Sequence, residues 1–327
     1  MARFDPRLLL ILLLALPALV FALAREAAPS PDSAARQVSA QSSANLGAQP
    51  DRDGASTDTA QGASRNSGAQ ADQGSYLSTP ASCPAKSLLV NYEVERFGHT
   101  WQVPIWQYGD GEAFSFASGM TIDADGAPNA YNAENTGLDD LANAGSPGHW
   151  EGILQNEDGS PLVQGPGDPY PGYYISCTAL ADWTKAPHDP ARFVNAAKIP
   201  YIVLPGDLAR QTGARPGDMA VVVNIWNGEY SYAIFGDVGT LGEGSIALAN
   251  NLGISSDARH GGTWWGVMYL VFPGSGDHRP KPIDAIDRQG QQLLSDWGGV
   301  AKLNACAKDA PRPPRSPFGR NFRSDTP

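Results

Sequence analysis

The sequence predicts a mainly β fold, a small barrel or a sandwich with long loops and a few short helices. Its 327 residues include 36 glycines and 27 prolines, which exclude a helix bundle or a coiled coil because both residues break helix interiors. Several short apolar runs lie between Gly-rich turns, as in all-β domains. Two of these runs flank Asn227-Gly228, the strongest short-range signal for a hairpin with a type I′ turn.

The N-terminal quarter is predicted to lie outside the folded domain. Two arginines precede an apolar run that ends in a small-x-small pattern at Ala24, which predicts a signal peptide over residues 1–24. An uncleaved membrane anchor is the alternative, because the run is at the short limit for a membrane span. Residues 25–75 have too few apolar side chains to form a core, so we expect a disordered low-complexity linker. Either reading predicts an exported protein, extracellular or periplasmic.

One folded domain is expected over residues 76–308, followed by a disordered Pro- and Arg-rich tail over residues 309–327. Apolar runs predict strands at residues 88–94, 119–123, 173–177, 201–204, 219–226, 229–235 and 266–272. Residues 124–172 are rich in Gly, Pro, Asn and Asp and predict a long ordered loop region with a short helix near 138–143. Further helices are predicted at 245–252, with Ser245 as N-cap, and at 283–306, with a break at Gly298-Gly299.

The three cysteines fit an oxidising compartment with one disulfide. Cys83 opens the predicted domain and Cys306 closes it, so we expect a bridge that joins the two ends. Cys177 lies in an apolar run and is expected to be a buried free thiol.

The predicted domain is acidic, with 25 acidic and 13 basic residues, and the whole chain has a net charge of -11. This balance disfavours nucleic acid or an anionic membrane as a partner. It suits a cationic partner, whose attraction weakens as salt rises. Some of the eight tryptophans are candidates for stacking on sugar rings.

Two acidic residues near the end of the predicted hairpin are candidates for catalysis. Asp237 follows the second hairpin strand, and Glu243 follows a Gly-rich loop just before the helix that begins near Ser245. Such a loop can bring two carboxylates to one rim, as glycoside hydrolysis needs: one protonates the leaving oxygen and the other activates water. Two acids six residues apart are also common in solvated turns, so spacing alone leaves the function open.

Asp123 and Asp125 form a second acidic cluster, at the end of a predicted strand. With Gly126 they are typical of an Asx turn, whereas a calcium loop would need further ligands at alternating positions. The histidines and cysteines lack the ligand spacing of a zinc site, and the predicted domain has no nucleotide-binding or serine-hydrolase motif. We therefore expect no metal and no cofactor.

Six segments, in order, resemble the glycoside hydrolase family 75 chitosanases. The longest is residues 119–132 (GMTIDADGAPNAYN), and the last combines Asp237-Val238-Gly239 with Gly242-Glu243-Gly244-Ser245 before a helix. The segments between them are 137–145, 163–164, 171–174 and 199–205. The resemblance covers residues 114–276.

This resemblance implies endo-hydrolysis, with inversion, of the β-1,4 bonds of chitosan, a polymer of largely deacetylated glucosamine. The essential Asp and Glu of the family correspond to Asp237, the expected general acid, and Glu243, the expected general base. Tyr131 and Gln164 lie in matching segments and are candidate substrate-binding residues.

Residues 213–218, followed by the hairpin and Asp237, are also similar to double-psi β-barrel proteins, including family 45 endoglucanases and lytic transglycosylases. This likeness implies a small double-psi-like barrel and agrees with Asp237 as the acid. It makes Asp123 a rival of Glu243 for the base, and Asp125 a further candidate for that role or for substrate binding.

Two other functions stay open at the level of sequence. One is a cell-wall enzyme of the same barrel type that cleaves the glycan strands of peptidoglycan. The other is a non-catalytic polysaccharide-binding module. In each case we expect a monomer that binds chitosan or a related cationic polysaccharide, with no membrane contact after signal cleavage.

Overall fold

The computed structural model describes residues 81–96 and 99–311. The predicted signal peptide, the linker and the tail beyond residue 311 lie outside the described residues. None of the helices in the described part has the length and apolar character needed to span a bilayer.

The described part is mainly β, with ten strands and four α-helices. The strands are β1 (Lys86–Arg96), β2 (His99–Tyr108), β3 (Ala113–Asp123), β4 (Gly145–Ser146), β5 (His149–Trp150), β6 (Tyr201–Leu204), β7 (Met219–Asn224), β8 (Tyr230–Val238), β9 (Glu243–Ser245) and β10 (Thr263–Phe272). The helices are α1 (Gly206–Thr212), α2 (Ile246–Asn251), α3 (Ile283–Trp297) and α4 (Gly299–Lys308). Two 3-10 turns, Leu141–Ala144 and Pro190–Arg192, lie in the long loop region.

Six strands close into a barrel, which confirms the predicted fold class. Their order is β3-β10-β7-β8-β6-β9, and a parallel pairing of β9 with β3 completes the ring. The pair β6–β8 is also parallel, and the remaining neighbours in the barrel are antiparallel. The hairpin of β1 and β2 extends the sheet beyond β3.

Successive side chains on the barrel strands point to opposite faces and form two cores. The first fills the inside of the barrel, with residues such as Phe116, Ile202, Val222, Phe235 and Tyr269. The second covers the outer face, where Tyr201, Val203, Val221 and Ile234 pack with residues of α3, α4 and the loop region. The loop region between β3 and β6 therefore packs against one outer wall of the barrel.

Helix boundaries follow the sequence signals closely. Ser245 caps α2 and its hydroxyl accepts the Leu248 N–H, as predicted. Gly298, with a φ of 125°, separates α3 from α4 at the predicted break.

The predicted disulfide between Cys83 and Cys306 is present and closes a loop of 223 residues. On the chain-entropy model such a closure stabilises the fold by about 5 kcal/mol.

Three local predictions are wrong. Residues 173–177 make only isolated bridges, because their neighbours are loop segments rather than a strand. The hairpin turn is not type I′, since Gly228 has a φ of 78° but Asn227 has no positive φ. The connection from β7 to β8 is longer than a two-residue turn and runs over residues 225–229. In it, the Asn227 side chain donates to the Leu252 carbonyl, which joins the turn to the end of α2. Cys177 is a free thiol, as expected, but it is only partly buried.

Candidate active site

Three acidic residues come from neighbouring strands in one wall of the barrel. β6 pairs with β8, where Val203 lies opposite Asp237, and with β9 on its other side. β9 in turn runs parallel to β3, with Glu243 opposite Thr121. Asp123 follows two residues later, at the end of β3. The barrel topology thus brings the two sequence-predicted acids and the rival base to one region.

Asp237 is held by backbone N–H groups. Its Oδ1 accepts bonds from Ala179 at 2.8 Å and from Val238 at 2.7 Å. Burial nevertheless raises the pKa of Asp237 to about 7, against the effect of these two bonds and with added repulsion from Glu243. Because both bonds use Oδ1, Oδ2 is the oxygen available to hold a proton. Asp237 can therefore carry a proton near neutral pH.

Glu243 is oriented by the loop that precedes it. Its Oε2 accepts the Thr240 N–H at 2.9 Å. Gly239 leaves room for this contact, since a Cβ on Gly239 would lie 2.9 Å from Oε2 and 3.0 Å from Cγ1 of Val203. The Gly-rich loop is therefore needed for the position of this carboxylate, in addition to its role as a turn.

Asp123 is the centre of a tight acidic turn. The predicted Asx turn is confirmed, because the Asp125 N–H donates to Asp123 Oδ1 at 2.8 Å. Burial, together with the negative charges of Asp237 and Glu243, raises the pKa of Asp123 well above its usual range. Asp123 thus favours its protonated form in the folded protein.

Asp125 faces the loop region that covers the barrel wall. Tyr131 donates its hydroxyl proton to Asp125 Oδ1 at 2.7 Å, and a Cβ on Gly152 would lie 2.5 Å from both carboxylate oxygens. Burial, and then the charge of Asp123, raises the pKa of Asp125 well above its usual range. Tyr131 is 2% exposed, so the hydrogen-bonded pair of Tyr131 and Asp125 lies beneath the Asx turn of Asp123 and supports it.

Comparison with known protein families assigns the chain to a family. A family model described as fungal chitosanase of glycosyl hydrolase group 75 matches residues 120–293, which is more than half of the chain. The chain belongs to this family. It is a glycoside hydrolase with chitosan as the substrate that the family description implies. No curated protein matches the sequence.

Within this chitosanase family member, Gln164 is placed as a brace of the loop region. It is 2% exposed, and its side-chain amide donates to the backbone carbonyls of Pro128 and Tyr174. Its Oε1 accepts the Tyr170 N–H. All three contacts are to backbone, so the amide connects three loop segments rather than facing the acidic cluster.

The site also contains groups that the sequence did not single out. Tyr201 is fully buried on β6, and its hydroxyl donates to the Asp125 carbonyl at 3.0 Å while also hydrogen-bonding Asp123. Burial, and then the charges of Asp125 and Asp237, raises the pKa of the Cys177 thiol to about 12, so the thiol is uncharged beside the cluster. The Ala179 N–H could not have been found from side-chain patterns, because it is a backbone group.

The cluster has no metal-like arrangement. Among residues 81–96 and 99–311, no group of three or more His, Cys, Asp or Glu side chains is placed to hold an ion. Asp123, Asp237 and Glu243 instead lie at the ends of the three strands β3, β8 and β9.

Proposed function

We propose that the protein is a secreted, endo-acting chitosanase that inverts the anomeric carbon, with Asp237 as general acid and Glu243 as general base. The observation that carries this proposal is the pairing of unlike carboxylates on adjacent parts of one barrel wall. Asp237 has a pKa raised to about 7, and its Oδ2 takes no part in the two backbone hydrogen bonds to Oδ1. Glu243 is held by the Thr240 N–H. Two carboxyl groups in different environments are what acid and base roles require.

Asp237 would protonate the glycosidic oxygen. With both backbone bonds on Oδ1, the proton resides on Oδ2 and passes to the leaving oxygen as the bond from that oxygen to C1 breaks. The electron pair of the broken bond stays with the leaving oxygen. A pKa of about 7 keeps a large protonated fraction at neutral pH, so the acid is available without an acidic medium.

Glu243 would take the proton from the attacking water. Its contact with the Thr240 N–H fixes the orientation of the carboxylate, which a general base needs. Water oxygen bonds to C1 from the face opposite the leaving group, and the product has the α configuration. Asp123 is less suited to this role, because its raised pKa favours the protonated form.

The charge of the domain fits a polyamine. The predicted domain carries nearly twice as many acidic as basic residues. The ammonium groups of glucosamine units would be attracted to such a surface, and the attraction would fall with salt. The disulfide agrees with an exported protein, as the predicted signal peptide requires.

Release of reducing ends tests this function. The purified protein is incubated with chitosan and, separately, with purified peptidoglycan. We expect new reducing ends from chitosan, with the α anomer formed first when the products are followed by proton NMR. Soluble fragments from peptidoglycan alone would favour a cell-wall enzyme, and binding to chitosan without new reducing ends would favour a non-catalytic module.

A further inference from the structure

We propose that Trp183 is a sugar-binding platform next to the catalytic centre, and that it prefers N-acetylglucosamine units over units with a free ammonium group. This inference rests on the proposed function, because it takes the polysaccharide substrate as the occupant. It adds a specificity for the acetylated units of partly deacetylated chitosan, which the catalytic carboxylates do not supply.

Trp183 is exposed and yet fixed. Its side chain is 75% exposed, the largest exposed fraction among the large apolar side chains of the described residues. The guanidinium of Arg192 lies over the ring at 4.2 Å from its centroid, while Arg192 itself is only 8% exposed. A guanidinium stacked on one face holds the indole and leaves the other face open to a ligand. A flat, open aromatic face with a polar surround is suited to a sugar ring.

The platform is connected directly to the catalytic acid. Ala179, whose N–H bonds Asp237, is four residues before Trp183 in the chain. Between them, Ala181 makes a bridge with Phe193, and the Asp182 N–H donates to the Arg192 carbonyl at 2.8 Å. Four residues span at most about 14 Å, so a polymer bound at Asp237 can reach the indole.

The charges around the indole distinguish the two kinds of sugar. Arg192 supplies a permanent positive charge beneath the ring, and its Nε has no hydrogen-bond partner among the described residues. The pKa of Asp182 is lowered, mainly by its hydrogen bonds from Thr184 and further by the positive charges of Lys185 and Arg279. Lys185 and Arg279 therefore offset the negative charge of Asp182.

A second cation on the open face would be repelled by Arg192. At about 8 Å, the repulsion between two unit charges corresponds to about a twofold loss of binding at the dielectric constant of water, and to about thirtyfold at that of a protein surface. A neutral N-acetylglucosamine ring avoids this loss. The net negative charge of the domain as a whole, by contrast, attracts the ammonium form. The two parts of the site therefore select different units of the same chain.

Calorimetric titration tests the platform separately from catalysis. The full-length protein carrying Asp237→Asn is titrated with oligomers of N-acetylglucosamine and with oligomers of glucosamine, then again with Trp183→Ala added. We expect Trp183→Ala to weaken binding of the acetylated oligomer by about two- to tenfold, and to change binding of the glucosamine oligomer less. The titrated mixtures are also assayed for new reducing ends, so that turnover by Asp237→Asn, which would count against Asp237 as the acid, is distinguished from a change in binding caused by Trp183→Ala.

Trp226 provides the matched control. It is also an exposed tryptophan, at 64%, but it lies in the loop between β7 and β8, where its indole N–H bonds the Trp265 carbonyl. Trp226→Ala should leave both affinities unchanged. The proposal is overturned if Trp183→Ala binds the acetylated oligomer as well as the parent does, if it weakens both oligomers equally, or if Trp226→Ala weakens acetylated binding as much.

Discussion

Replacement of Gly239 by alanine should displace Glu243, the proposed general base, without unfolding the protein. The new Cβ would lie 2.9 Å from Glu243 Oε2 and 3.0 Å from Cγ1 of Val203. Val203 is buried, and its branched side chain has few rotamers, so it cannot move aside easily. The flexible end of Glu243 is the part that gives way, and its contact with the Thr240 N–H is then lost.

The size of the effect follows from that lost contact. A hydrogen bond to a charged group contributes about 1.5–3 kcal/mol. If the bond is lost in the transition state, kcat/KM should fall by about tenfold to a hundredfold. A shift of about 1 Å in a catalytic group has a similar cost. Gly239 is exposed and has no positive φ, so the backbone accepts alanine, and the free energy of unfolding should fall by no more than about 1.5–3 kcal/mol, the contribution of the lost hydrogen bond.

The assay is reducing-end release from chitosan, with thermal unfolding followed in parallel. Gly167→Ala is the control, because Gly167 is also exposed, has no positive φ, and has no heavy atom within 4 Å of the added Cβ. Gly239→Ala should be much less active than Gly167→Ala at a temperature where thermal unfolding shows both variants to be folded. Equal activity of the two variants would refute the idea that this loop positions Glu243.

Three further predictions test the acid, the buried charges and the domain limits. Asp237→Asn should lower hydrolysis of chitosan by about 10²–10⁴-fold but spare a glucosamine oligomer with a dinitrophenyl leaving group, which departs without a proton; equal loss on both substrates would exclude Asp237 as the acid. In the unfolded chain Asp123 loses its proton above its ordinary pKa of 3.8, whereas in the folded protein the raised pKa keeps the proton in place. The free energy of unfolding should therefore fall as pH rises, by up to about 1.4 kcal/mol per pH unit. Asp123→Asn should reduce that slope above about pH 4 in thermal or urea unfolding, and an unchanged slope would show that Asp123 is not the group concerned. A variant lacking residues 25–75 should retain full activity and the same melting temperature, whereas a drop of many degrees would show that this segment packs on the domain.

The fold was predictable where local signals and the barrel agreed. Short apolar runs marked β6 and β10, and Ser245 marked the start of α2. β2 was missed although Trp101, Val103 and Ile105 alternate along it, because Pro104 is uncommon inside a strand. The strand predicted at residues 173–177 failed because a buried apolar run can also line a loop held by side-chain contacts, as Ser176 shows in its bond to the Gly152 carbonyl.

The site was predictable as a set of residue types but not as an arrangement. Sequence motifs identified Asp237, Glu243 and Asp123, since acids in Gly-rich segments are visible in the chain. They could not reveal the N–H of Ala179, which comes from a segment 58 residues away in the chain. Nor could they show why Gly152 must be glycine, because that depends on how closely the loop approaches Asp125. Long-range contacts of backbone groups have no local sequence signature.

The most direct test of the central claim compares Glu243→Gln with Asp123→Asn in the presence and absence of sodium azide. If Glu243 is the base, Glu243→Gln should lose at least about a hundredfold in chitosan hydrolysis, and azide should restore cleavage by attacking C1 to form an α-glucosaminyl azide. Asp123→Asn should lose less than about tenfold and form no azide product. Near-native turnover by Glu243→Gln, with an inactive Asp123→Asn that azide rescues, would assign the base to Asp123 and contradict this account.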